Sequence, residues 1–219
     1  MSEQLVLFGG AFDPVHNGHL IVARALAERR GFERVTLVPT GRPPHKPAPV
    51  ASGAHRLRML QLAVEAEGLF DICDLELRRQ GPSYTIDTLT ELRRLRGADA
   101  ELTWVIGADM VQELPAWHRV GELLEMATIL IAARPPWDRQ MPGVIEALAG
   151  PLGAAQARSL AGCVVDTPRV DISSSQVRQR AAEGKSVRFL VPDAVGAYLA
   201  EFGLYGEGAK NPPKNAQRT

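Results

Sequence analysis

Two histidines three residues apart, His16 and His19, lie in the stretch Phe8-Gly9-Gly10-Ala11-Phe12-Asp13-Pro14-Val15-His16-Asn17-Gly18-His19, which directly follows the apolar run from Leu5. A glycine pair at a strand end leaves no Cβ between the backbone and a ligand, and phosphate is the natural guest of such a turn. A helix starting near Asn17 or Gly18 turns unpaired N–H groups and a partial positive charge toward the same place. That helix end is worth roughly 0.3–1 kcal/mol to an exposed anion and up to ~2 when partly buried, enough to bind but hardly to catalyse. Side chains must supply the rest. Across one helical turn both imidazoles can project to the same side and donate to neighbouring phosphate oxygens.

A second group of anion-binding residue types stands late in the chain, Ile172-Ser173-Ser174-Ser175-Gln176-Val177-Arg178. Serines cap a helix start and present hydroxyl and N–H groups to an anion, and Arg178 adds a fixed fork of donors. A solvated, serine-capped helix accounts for this segment equally well when it is taken alone.

Other chemistries fit less well. A dinucleotide-binding redox fold expects G-x-G-x-x-G and an acidic residue about 20 positions on, whereas here the glycine spacing differs and Pro39-Thr40-Gly41-Arg42 carries no acid. The P-loop pattern G-x-x-x-x-G-K-[ST] is absent. H-x-x-H without a third ligand of clear spacing is a weak zinc motif, so no metal ligation by protein side chains is expected.

The elements that must position these residues read as an alternation. Strand patterns cover Leu5–Phe8, Val35–Val38, Phe70–Leu77, Leu102–Ile106, Thr128–Ala132 and Val164–Val165. Helical patterns cover Gly18–Arg30, Ala54–Glu67, Thr85–Arg96, Val120–Met126, Ser174–Glu183 and Asp193–Phe202. Thr40–Gly53 holds four prolines and no periodicity, an extended loop of a length that usually serves function. The alternation predicts an α/β fold, Rossmann-like and doubly wound, with a mostly parallel sheet covered by helices on both faces. It predicts one domain over residues 1–205 and a frayed polar tail over 206–219. Ligands of such sheets sit beyond the carboxyl ends of the strands, which points to Gly9-Gly10, Pro39–Lys46, Gly107–Asp109 and Arg134.

Composition narrows the partners. Lys plus Arg and Asp plus Glu both number 25, so a long nucleic acid finds no basic footprint, while small anions remain open. Cys73 and Cys163 match no metal or redox spacing, read as buried free thiols and fit a reducing cytoplasm. The start MSEQ has no leader pattern and no apolar run is long enough to span a bilayer, so a cytoplasmic protein without membrane contact is expected. The oligomeric state is left open.

The opening stretch resembles the nucleotidyltransferase family whose signature runs Gly-Gly-Thr/Ser-Phe-Asp-Pro-x-His-x-Gly-His, and Ile172–Arg178 resembles its second signature, Ile-Ser-Ser-Thr-x-Ile/Val-Arg. Within that family the chain is most similar to the nicotinate mononucleotide adenylyltransferases, over nearly its whole length up to about Tyr205. Pro43-Pro44-His45-Lys46, Ser83-Tyr84-Thr85, Gly107-Ala108-Asp109, Trp117 and Arg134-Pro135 carry that similarity. Pantetheine-phosphate relatives are shorter and lack the Ser-Tyr-Thr and tryptophan pair. Ala11 departs from the pattern, standing where a hydroxyl residue is usual, so only its backbone N–H is left for a phosphate.

The resemblance implies transfer of AMP from ATP to nicotinate mononucleotide, giving deamido-NAD and pyrophosphate. It implies catalytic roles for His16, His19 and Arg178, and ATP binding by Gly9, Gly10, Ala11, Phe12, Ile106, Gly107, Asp109, Arg134, Ser174 and Ser175. The mononucleotide falls to His45, Lys46, Tyr84, Thr85 and Trp117, and Mg²⁺ is held mainly by the ATP phosphates. Tyr84 and Trp117 offer aromatic faces to a pyridine ring, whereas Trp104 lies in a strand pattern and is expected in the core. The resemblance also implies that donors near Thr85 read the nicotinate carboxylate, from which a preference over the amide of about 1–3 kcal/mol or ~10- to 100-fold is expected. A nucleotide sensor that binds ATP or NAD without turnover is the rival reading, motivated by Ala11.

Overall fold

Val6, Leu37, Val105 and Leu130 face one side of their strands, and Leu7, Val38, Trp104, Ile106, Ile129 and Ile131 face the other. That two-residue alternation, apolar in both directions, is what a parallel sheet covered on both faces demands. The computed structural model describes residues 3–44, 47–133 and 137–206, apart from the Asp138 side chain. Its sheet is built from β1 (Gln4–Gly10), β2 (Val35–Pro39), β3 (Phe70–Ile72), β4 (Glu101–Gly107), β5 (Ala127–Ala133) and β6 (Val164–Asp166). The strands lie in the order β3-β2-β1-β4-β5-β6 and every pair is parallel. The order reverses between β1 and β4, which opens a crevice at their carboxyl ends.

Ten helical segments cover the sheet among the described residues: α1 (Asn17–Arg30), α2 (Gly53–Val64), α3 (Leu75–Arg78), α4 (Thr85–Arg96), a 3-10 segment (Ala108–Ala116), α5 (Val120–Met126), α6 (Trp137–Leu152), α7 (Ala154–Ala161), α8 (Ser174–Ala182) and α9 (Asp193–Phe202). One face receives Ala23 and Leu26 of α1, Met59 and Leu60 of α2, Val177 of α8 and Val195 of α9. The opposite face receives Ile86 and Leu89 of α4, Leu123 of α5, Ile145 and Leu148 of α6 and Leu160 of α7. Helix α1 stops where Gly31 takes the left-handed conformation, φ 68, and returns its N–H to Ala27 O, a bend that costs any residue with a Cβ.

The expected fold class holds, and the structure corrects several element readings. Phe70–Leu77 is not one strand: β3 ends at Ile72 and Leu75–Arg78 is a helical turn. The partner strand β2 ends in Pro39, which has no N–H with which to extend the ladder. Arg78 Nε donates to Asp74 Oδ2 at 2.7 Å, a bond that closes the turn instead. Helix α2 ends at Val64 rather than at Glu67. Helices α6 and α7 went unread because Pro142, Pro151, Gly143, Gly150 and Gly153 look like breakers. The helical signal was nevertheless present, since Met141, Ile145 and Leu148 recur at helical spacing and are buried. Cys73 and Cys163 are half-buried rather than buried, and burial raises the pKa of both thiols.

Candidate active site

The glycine pair does not turn the chain. Gly9 and Gly10 are the last two residues of β1, in register with Val38 and Pro39. Their bareness serves close packing: a Cβ on Gly9 would lie closer than 3.0 Å to the Trp104 ring, and one on Gly10 would meet the Phe12 ring at 3.1 Å. The turn comes later, at Phe12, whose backbone is left-handed with φ 46 while its ring is 1% exposed. Trp104 is core, as its strand pattern predicted.

His16 caps α1 from the non-helical side and is buried; His19 occupies the third helical position and is half-buried. Their rings stack with centroids 3.6 Å apart, and Phe12 holds His19 edge-on at 5.0 Å. The His16 backbone N–H donates to His19 Nδ1 at 3.3 Å. With Nδ1 accepting, a neutral His19 carries its proton on Nε2, the nitrogen that can donate to an anion.

Arg178 reaches this motif from α8. Its Nη1 donates to the Asp13 carbonyl at 2.7 Å and its Nη2 to Ser175 Oγ at 3.1 Å. Ser174 Oγ donates to Pro14 O at 2.9 Å, while Ser173 is the helix cap, accepting Gln176 N–H at 3.1 Å. The N-termini of α1 and α8 are thus joined through residues 13–14, although 165 positions separate Arg178 from Asp13.

A cavity of about 590 Å³ opens at this end of the sheet, a size that suits a small-molecule ligand. It is lined by Gly9, Gly10 and Ala11 of β1 and its turn, Ile106 and Gly107 of β4, and Ser174, Ser175 and Arg178 of α8. The same cavity is lined by Tyr84, Thr85 and Trp117, together with His118, Glu113 and the proline-rich loop. Phe12, His16, His19 and Asp109 are not among its lining residues. Asp109 is exposed on the turn after β4, where its carboxylate occupies the space that a Cβ on Gly107 would need. His45, Lys46 and Arg134 lie outside the described residues, as does the tail from residue 207.

Thr85 is the first residue of α4, so its N–H and hydroxyl stand at an unsatisfied helix start. Tyr84 packs its ring 4.4 Å from that of His118, beside the half-buried Trp117. Ser83 Oγ accepts N–H bonds from Gly41 at 3.2 Å and Arg42 at 3.1 Å, tying the start of the proline-rich loop to the Ser-Tyr-Thr segment. Beneath it Glu76, 3% exposed, accepts the Thr88 hydroxyl at 2.9 Å, and burial raises its pKa.

Asp13, Arg56, Glu76 and Tyr205 were missed in the sequence. Asp13 stood inside the quoted motif, yet nothing local said that its carboxylate would be buried. Arg56 gave a weak signal, a charge on the buried face of α2; it is 2% exposed and burial lowers its pKa. Among the described residues no group of three or more His, Cys, Asp or Glu is placed to hold a metal ion. No helix among them is long and apolar enough to cross a membrane.

Residues 7–180 match the family model described as cytidylyltransferase-like. A probable nicotinate-nucleotide adenylyltransferase of Thermomicrobium roseum is 41% identical, with 93% of this chain and 92% of that one aligned. One from Pseudomonas fluorescens is 42% identical over 94% of this chain and 98% of its own length. Among solved structures, Plasmodium falciparum nicotinic acid mononucleotide adenylyltransferase complexed with NaAD superimposes with a TM-score of 0.72 at 16% identity, covering 93% of this chain and 97% of that one. At that identity the likeness concerns the fold.

Proposed function

Because the chain belongs to the cytidylyltransferase-like family, we infer that it is a nucleotidyltransferase of NAD biosynthesis, which moves AMP from ATP to nicotinate mononucleotide and releases pyrophosphate. The observation that carries this reading is one cavity lined by two unlike sets of groups that come from opposite faces of the sheet. Serine and guanidinium donors come from α8, which packs on one face, and aromatic rings with the α4 helix start come from the other. Relatives more than 40% identical over nearly the whole chain bear the name of the same activity.

The nucleophile is a phosphate monoester whose second pKa near ~6 leaves it largely dianionic, so no general base is required. Its oxygen forms a bond to the α-phosphorus of ATP as the bond to the bridging oxygen breaks and pyrophosphate departs. Bringing two polyanions together and spreading charge over the leaving group is the difficulty, which makes alignment and donor placement the work of the protein. Arg178 and His19 Nε2 donate to the triphosphate, and His16 supports His19 from below. The strand ends at Gly9, Gly10 and Gly107, the Ala11 N–H, Ile106, Ser174 and Ser175 complete the ATP side with the exposed Asp109, while buried Phe12 acts through the His19 ring it packs against. Added charge is assigned to Arg134 and Lys46, and recognition of the mononucleotide phosphate to His45. A divalent ion such as Mg²⁺, when bound, would neutralise phosphate charge and would call on few protein ligands, the ATP phosphates supplying most of its contacts. Tyr84 and Trp117 face the pyridine ring, and the Thr85 N–H and hydroxyl receive its carboxylate. Such an enzyme works in the cytoplasm, on two small nucleotides.

Pyrophosphate release with ATP and each mononucleotide tests the reading. Turnover is expected with a kcat/KM about 10- to 100-fold higher for nicotinate than for nicotinamide mononucleotide, because an amide facing donors leaves polar groups unpaired. Faster turnover of the amide refutes the substrate assignment. ATP binding without any pyrophosphate release makes the chain a sensor.

A further inference from the structure

Asp13 is 2% exposed, and its carboxylate joins four stretches of chain. Oδ1 accepts the Tyr205 hydroxyl at 2.8 Å and the Ala51 N–H at 3.0 Å. Oδ2 accepts the Val50 N–H at 2.7 Å and lies 3.8 Å from Arg178 Nη1. Arg56 makes a second stitch between the same segments, donating from Nη1 to Ala11 O at 2.7 Å and from Nε to Ala51 O at 3.3 Å. The far end of the proline-rich loop is therefore sewn twice to residues 11–13, the strip to which Arg178 is also bonded.

Tyr205 is the remote member of this arrangement. It follows α9 at the end of the described chain and lies beyond the stretch matched by the family model, which stops at residue 180. Its backbone is left-handed, φ 68, a conformation that a bulky residue adopts only when its surroundings hold it there. Burial and the Asp13 carboxylate raise the pKa of its phenol, so the hydroxyl stays a donor. A carboxylate this buried needs its full set of donors to keep one orientation.

We propose that Tyr205 is a positioning residue for the transfer reaction: its hydroxyl orients the Asp13 carboxylate, which sets the Val50–Ala51 end of the proline-rich loop relative to Arg178. The proposal rests on the adenylyl-transfer reading above. In-line attack requires both phosphates in register, and Asp13 is where the wall of one substrate meets the grip on the other.

Tyr205→Phe keeps the ring and removes only the donor. Loss of a hydrogen bond to a charged acceptor is expected to lower kcat/KM for nicotinate mononucleotide about tenfold, measured well below the melting transition, with Kd for ATP within about twofold of wild type. Hydrogen exchange at the Val50 and Ala51 amides should quicken. In an Asp13→Ala background the same substitution should cost less than about twofold, because the acceptor it orients is already gone. Equal losses in both backgrounds, a loss of ATP affinity instead, or an unchanged kcat/KM overturns the proposal. Should Asp13→Ala fail to fold, exchange at Val50 and Ala51 in Tyr205→Phe decides: unaltered rates overturn it. If the wild-type chain makes no dinucleotide, the functional reading falls, and the same exchange measurement still reports whether Tyr205 holds the loop.

Discussion

The two nitrogens of the His19 ring do different work, and substitutions can separate them. Nδ1 accepts the His16 N–H at 3.3 Å, a long bond at the helix start. Loss of a helix-start contact costs roughly 0.5–2 kcal/mol, and the length of this one puts it near the lower end. In a chain of 219 residues, that is a fall in Tm of about 1–4 °C. Nε2 is the donor assigned to the triphosphate, and removal of a preorganised donor of this kind typically lowers kcat by ~100- to 1000-fold, about 2.7–4 kcal/mol. His19→Ala should therefore show both losses. Asparagine places its amide oxygen where Nδ1 stood but is too short to reach the position of Nε2. His19→Asn should accordingly recover the Tm without recovering kcat. Glutamine reaches further and should recover part of kcat without the Tm. Initial rates of pyrophosphate release at saturating substrates, beside thermal melts of each variant, measure both quantities. A His19→Ala loss smaller than about fivefold, or activity that follows Tm across the series, refutes the assignment.

Two further substitutions test the frame around the site. Gly9→Ala forces a methyl closer than 3.0 Å to Trp104, a ring 4% exposed and hemmed in by the core; overpacking of this kind costs about 1–3 kcal/mol. Urea unfolding of Gly9→Ala, Trp104→Leu and the double variant should show that the leucine relieves part of the alanine's cost, and strict additivity would contradict the contact. Glu76 is held protonated to a higher pH by burial, so the folded state binds its proton more tightly than the unfolded state does. Its contribution to stability is complete below the ordinary value of 4.5 and is lost as pH rises through the raised folded value. Glu76→Gln should flatten the stability–pH curve over that window, and parallel curves for the two proteins would count against the assignment.

Much of the fold was legible because its signals are local. Thr85–Arg96, Val120–Met126 and Asp193–Phe202 have the bounds that their periodicity implied, since a helix depends on side chains three or four positions apart. The strand–turn–helix of the opening motif and the serine-capped start of α8 were readable for the same reason. Helices α6 and α7 were not, because prolines and glycines weaken local propensity and the burial of Met141, Ile145 and Leu148 against the sheet outweighs it.

The residue types of the site, its place at the strand ends and the class of ligand were thus set by the chain order alone, through short-range periodicity and motif spacing. What only the tertiary structure decided is who touches whom. Gly9 is bare because Trp104 leans across from β4. The Asp13 carboxylate is completed by an N–H 38 positions away and a hydroxyl 192 positions away. Those partners meet through the order of the strands and the return of α8 and α9 to the opening motif, and neither is written in the neighbourhood of the residues concerned.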